Sequence, residues 1–305
     1  MISSHSQPVS VFLKKYRNFL FFFFASLGAV LFFRPLRELL KFSFLSMYYS
    51  HVVLIPLVSG YFIYRWRKKI FSFSAERGLY LPGLVVTAAS AAPYLIGTAH
   101  AAALSENDYL FFMTLSAVLF FIGGFLFFYG PGAFKAARFP LFFLAFMVPL
   151  PGFIMWRFVS VLQEGSTLLA TGLFRLTGIS FVREGFIFRF PDLGIRVARE
   201  CSGIRSSVSL FITGVILAQL FLTKWRCRLT LLAAALPIAM FGNALRITVL
   251  TLLSLYVDGS FMYGNLHRKG GILFFALDFV LLLSLARLMR RFEKGKNPDQ
   301  GKARA

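Results

Sequence analysis

Charge is what this 305-residue chain has least of: Asp, Glu, Lys and Arg together make up 15% of it, against about 25% in an ordinary soluble domain. Acids are scarcer still, 12 against 33 Lys and Arg, and there are only two cysteines and four histidines. Two cysteines cannot build a disulfide scaffold. The shortage of polar residues excludes a disordered chain, which needs low hydrophobicity. What fills the space is 58% apolar residue, including 40 Phe, too much apolar surface for one water-soluble core, and that excludes a soluble enzyme. The net charge of +21 would suggest nucleic acid in a soluble protein. In a polytopic membrane protein it is expected, because basic residues hold cytoplasmic loops inside.

Apolar runs recur at about 19–33, 48–64, 79–99, 109–129, 139–156, 204–222, 229–257 and 271–289, and each is a candidate bilayer span. They are continuous rather than alternating, which excludes a β-barrel. The first run follows Lys14, Lys15 and Arg17 and closes on Arg34-Pro35 without a small-residue cleavage site, so it reads as an uncleaved span. With the N-terminus inside and the spans alternating, the inner side collects 20 of the 33 basic residues and a net charge of +17, against +5 outside, with Asp278 left in the last span. That bias puts both termini in the cytoplasm. The expected protein is an all-α polytopic membrane protein of about eight transmembrane helices. Its predicted organisation is a cytoplasmic segment 1–18, one membrane domain 19–290 and a basic cytoplasmic tail 291–305.

Residues 157–200 interrupt the pattern. Phe158, Val161, Leu162, Leu168, Leu169, Leu173 and Leu176 have helical spacing on a segment too polar to span, which predicts an interfacial or re-entrant helix. Phe181 to Ala198, punctuated by Glu184-Gly185 and Pro191-Asp192-Leu193-Gly194, reads as short strands separated by turns. This small β-element is expected on the extracytoplasmic side, leading directly into Glu200-Cys201-Ser202-Gly203-Ile204-Arg205.

The topology separates the cysteines. Cys201 falls at the outer end of the sixth span and Cys227 just past its inner end, so helical geometry puts them about 39 Å apart, well beyond disulfide reach. Cys201 is therefore a free thiol on the oxidising side of a membrane, where unpaired thiols are a liability. A helix N-terminus follows it and Arg205 lies one turn on, surroundings that favour a thiolate nucleophile; the plainer alternative is a small buried hydrophobe, as Cys227 is expected to be. A nucleophilic thiol needs a proton acceptor and a group to hold charge on the attacked oxygen. His267 opens the last span, level with Cys201. Arg246 is the one cation inside a predicted span, near its outer end, and intramembrane arginines are by default functional, with snorkelling to headgroups as the alternative. Asn243, one turn before, can orient the guanidinium. His51 is a weaker site residue that lines the site or marks the interface.

These motifs resemble those of the exosortase/archaeosortase family, polytopic cysteine transpeptidases that process exported proteins carrying a PEP-CTERM-type sorting signal. The family's catalytic Cys pattern, A/E-C-S-G-L/I-R, is similar to Glu200 to Arg205, and its N-x-x-R-I pattern is similar to Asn243 to Ile247. Its His, placed before a glycine and the last span, corresponds to His267 before Gly270. Tyr49-Ser50-His51 with Pro56, and Met147-Val148-Pro149-Leu150-Pro151, fit as well. The resemblance implies a bacterial inner-membrane transpeptidase with its site on the outer face. Cys201 attacks the precursor to form a thioester, His267 shuttles the proton, Arg246 stabilises the oxyanion or positions the carbonyl, and Arg205 and Asn243 support them. It implies no cofactor or metal and no nucleic-acid partner. The implied partners are secreted precursors with a C-terminal helix and basic tail, an acceptor nucleophile that is lipid- or polysaccharide-linked, and membrane lipids.

Rival readings make different demands. A transporter or lipid-carrier flippase would use Arg246 for an anionic headgroup and leave Cys201 incidental, with Pro237 and Gly242 able to break the seventh span. A metal site would draw on His51, His100, His267 and Cys201, although no close helical pair of ligands is present. A non-catalytic scaffold in polysaccharide export is the fourth reading.

Overall fold

The computed structural model describes residues 7–46, 48–73, 80–191, 193–262 and 271–295, which group into two compact units, Met1–Ile154 and Met155–Ala305. The first is helical throughout: α1 (Gln7–Leu31), α2 (Phe33–Leu45), α3 (Leu54–Arg65), α4 (Arg67–Ser72), α5 (Leu81–Ala89), α6 (Ala91–Ala99) and α7 (Glu106–Phe143). Ser105 starts α7 by accepting the Asp108 N–H on its hydroxyl at 3.2 Å, the cap that a helix N-terminus requires. Helices α1 to α6 all pack on α7. Phe24 stacks on Phe120 with centroids 4.3 Å apart, and Phe21 meets Phe125 and Tyr129 edge-on, so much of the Phe excess is aromatic mortar around this axle. Helices α5 and α7 approach so closely that a Cβ at Gly83 would run into the Phe127 backbone, the small-residue packing expected where lipid supplies no hydrophobic drive between helices.

Among the described residues, five helical segments are long and apolar enough to cross a membrane: Leu81–Ala99, Glu106–Met147, Arg199–Phe221, Trp225–Tyr256 and Gly271–Glu293. A sixth is added if Tyr16–Leu31 and Phe33–Leu45, bent by 67° at their junction, count as one. The eight apolar runs regroup for two reasons. The 109–129 run and the start of the 139–156 run follow one another in α7, two helical stretches joined at a kink at Gly130 (φ 76°), after which Pro131 is well placed to restart the helix. The 48–64 run yields only the 12 residues of α3, about 18 Å of helix. Phe19, Phe22 and Phe23 of α1 are 67%, 71% and 64% exposed, a surface suited to lipid and not to water. The protein is all-α and polytopic, with one small β-element.

The second unit holds most of α8 (Gly152–Leu176), the strands β1 (Val182–Glu184), β2 (Ile187–Arg189) and β3 (Gly194–Arg196), and the helices α9 (Ile204–Phe221), α10 (Trp225–Tyr256) and α11 (Gly271–Gly295). The strands form an antiparallel sheet in the order β1-β2-β3, with Phe188 opposite both Arg183 and Ile195. Helices α9, α10 and α11 pack on one another around Leu210, Leu217, Leu231, Ala235, Leu282 and Ala286. Glu293 ties the α9–α10 link to the end of α11, accepting from the Thr223 and Lys224 N–H groups at 2.9 and 3.0 Å. The buried face of the sheet, Phe188 and Ile195, joins Ala170 and Phe174 of α8 and Ala244 of α10 in one cluster.

Helix α8 divides into a packing side and a side left to its surroundings. Val161, Leu168 and Leu176 are exposed, whereas Leu162, Gln163, Ser166, Thr167, Ala170, Thr171 and Phe174 are buried. The physical reason is that contacts between membrane-associated helices favour small and hydrogen-bonding side chains, and the larger aliphatic ones are left to lipid.

Candidate functional site

Strand β3 feeds the segment that carries the thiol. After Arg196, the Val197 N–H donates to the Phe186 carbonyl at 2.8 Å, and a single 3-10 turn, Arg199–Cys201, follows, closed by the Cys201 N–H on the Ala198 carbonyl at 2.9 Å. Gly203 then turns the chain into α9 with φ 78°, the left-handed region that glycine enters without penalty. Glycine is required twice over here: a Cβ at 203 would lie 2.8 Å from Cγ and 2.9 Å from Cβ of Asn243. The buried Asn243 side chain uses that proximity, donating from Nδ2 to the Cys201 carbonyl at 2.9 Å. Asn243 thus holds the segment that carries Cys201.

Helix α10 builds the opposite wall. Asn243, Arg246, Ile247, Leu250 and Thr251 stand at helical i, i+3, i+4, i+7 and i+8 positions and so share one face. They line a cleft of about 40 Å³ with Ile195, Arg196, Val197 and the half-buried Cys201. That volume is more than one water needs. The Arg246 guanidinium and the Cys201 thiol are close enough to interact electrostatically. Burial of the thiol disfavours its charged form and the cation beside it offsets part of that cost, and the same cation can hold charge that develops on an oxygen attacked by that sulfur.

The other expected site residues fall variously. His267 lies outside the described residues. The described chain approaches it through the turn after α10, where Asp258 accepts the Ser260 N–H at 2.8 Å, a bond that holds its carboxyl below the usual carboxylate range. Arg205 is exposed on the first turn of α9 and does not line the cleft. The second cation there is Arg196, whose out-facing place in β3 follows from strand alternation beside the inward Ile195. Glu200 is exposed. His51 belongs to the first unit, in the turn before α3, with its ring 6.3 Å from that of Tyr49. Cys227, near the start of α10, is a second free cysteine. Among the described residues no three His, Cys, Asp or Glu side chains converge as a metal site would require. One residue the sequence did not single out also touches this segment: Gln163 of α8 donates to the Val197 carbonyl at 2.6 Å. Its signal was a long polar side chain on the small-residue face of a helix.

Over residues 43–284 the chain matches the family model described as transmembrane exosortase. No curated protein and no solved structure matches it.

Proposed function

The chain belongs to the transmembrane exosortase family, and from that premise we propose that it is a membrane-embedded cysteine transpeptidase that removes the C-terminal sorting signal of exported proteins. The single observation that carries this reading is the cleft in which Cys201, pinned by Asn243, faces the guanidinium-bearing side of α10 at Arg246. A soluble-side thiol with no partner sulfur, seated beside a cation, is the arrangement that nucleophilic catalysis by cysteine needs.

The precursor reaches the site through its own C-terminal helix, held in the bilayer, with its basic tail inside. The Cys201 thiolate attacks the scissile carbonyl carbon, and the carbonyl π electrons move to the oxygen, where Arg246 offsets the charge. Collapse of the tetrahedral adduct breaks the C–N bond. The leaving amine takes a proton from His267, and the precursor remains as a thioester on Cys201. An acceptor nucleophile, lipid- or polysaccharide-linked, gives its proton to His267, attacks the thioester and releases Cys201. In this reading the site lies on the outer face of a bacterial inner membrane, both termini are cytoplasmic, and no cofactor takes part.

The test is co-expression with a secreted protein carrying a cognate C-terminal signal. Wild type removes the tail helix and Cys201→Ala does not; unchanged processing by the variant sinks the nucleophile assignment.

A further inference from the structure

Three hydrogen bonds suspend the segment on which Cys201 rides. The Val197 N–H is held by the Phe186 carbonyl in the β1–β2 turn at 2.8 Å, the Val197 carbonyl by Gln163 of α8 at 2.6 Å, and the Cys201 carbonyl by Asn243 of α10 at 2.9 Å. Gln163 is 7% exposed and sits between buried Leu162 and Ser166. A buried amide is unfavourable unless bonded, and leucine or methionine would fill nearly the same volume without that penalty. Its presence therefore points to work done at the Val197 carbonyl, which accepts and so requires the Nε2 donor.

Val197 is itself a wall of the cleft. Between it and Cys201 the chain makes one short turn, closed by the Cys201 N–H on the Ala198 carbonyl. A displacement at Val197 has almost no slack in which to dissipate before it reaches the sulfur. We infer that Gln163 is a positioning residue for Cys201: it fixes one end of the nucleophile segment against α8 while Asn243 fixes the other against α10, and together they set where the sulfur stands relative to Arg246. The catalytic meaning of this clamp rests on Cys201 being the nucleophile; its mechanical content does not.

The test uses the full chain with Cys227→Ser, so that Cys201 is the remaining thiol. Gln163→Leu is compared with its parent for tail removal, for maleimide labelling of Cys201, and, in a Cys201→Ala background, for capture of uncleaved precursor. Tail removal falls by between about ten- and a hundredfold, the range that a misplacement near 1 Å produces. Precursor capture stays at the parent level, and labelling accelerates severalfold as the segment is released. A folded variant that labels and turns over at the parent rates overturns the inference, and so does one whose whole deficit lies in precursor capture. Where Gln163→Leu does not fold, Gln163→Met, which conserves length and volume, carries the same measurements. Tail removal that persists in Cys201→Ala would refute the nucleophile, and the labelling rate would still decide the clamp.

Discussion

The side-chain amide of Asn243 donates to the main-chain carbonyl of Cys201 at 2.9 Å, across a gap that only a glycine at 203 leaves open. The residue that family resemblance pairs with Arg246 is thus bonded to the Cys201 backbone. Asn243→Leu removes the donor and strands a carbonyl in a part-buried site, a loss of roughly 1–3 kcal/mol. Tail removal is expected to fall by about ten- to a hundredfold as the sulfur drifts. Asn243→Asp presents an acceptor to an acceptor and is expected to be no better than leucine. A variant series in which aspartate performs like asparagine in the processing assay would mean that the hydrogen bond is incidental.

Gly203→Ala tests the same joint from the other side. Left-handed backbone costs a non-glycine residue roughly 1–2 kcal/mol, and the new methyl would press on Asn243, the neighbour that must keep its bond. Processing and thermal stability are both expected to decline. The contrast is Gly172→Ala in α8, whose Cβ would meet nothing within 4 Å and which gains helix propensity. Equal behaviour of the two variants in a melting experiment would contradict the description of the joint.

Cys201 and Arg246 separate transpeptidase from transporter. A transpeptidase loses all thioester chemistry in Cys201→Ala, while Arg246→Ala keeps a sulfur but loses charge stabilisation, for which about a hundred- to a thousandfold drop is expected by analogy with removal of one oxyanion donor. Arg246→Lys keeps the charge without the planar fork and is expected to fall between. A lipid carrier would tolerate Cys201→Ala and fail with Arg246→Ala. Chelator is expected to leave processing unchanged, whereas maleimide abolishes it; the reverse pattern would restore the metal reading.

How much of this could be read from residues alone follows from where the information sits. Cys201 and Arg246 were expected together because counting 1.5 Å per residue along continuous apolar runs put both toward one side of their spans, and one cleft holds both. Arg205 illustrates the limit: position along a helix does not give azimuth, and Arg205 is exposed on α9, outside the cleft that Arg196 lines from a three-residue strand. The division between the fourth and fifth apolar runs falls beside Gly130-Pro131, where α7 breaks and restarts. Gln163 was hidden because the helical spacing of the α8 leucines does not say which polar side chain on the other side is buried.

The division of α8 between a packing side and an exposed side makes a prediction of its own. Leu168 is 63% exposed and its neighbour Thr167 is 0% exposed, with its hydroxyl donating to the Gln163 carbonyl at 2.6 Å. If the small, hydroxylated side of α8 is its packing face, Leu168→Ala trades one lipid-facing side chain for another and changes stability by no more than about 0.5 kcal/mol. Thr167→Leu, which raises the helix's apolar content, must insert extra volume into a filled interface and is expected to destabilise by about 1–3 kcal/mol. Because Thr167 is one turn from Gln163, the same variant should also slow tail removal. Thermal melts of the detergent-solubilised pair decide the matter: a stable Thr167→Leu beside an unstable Leu168→Ala would mean that α8 packs by its leucines after all, and the clamp on Val197 would have to be redrawn.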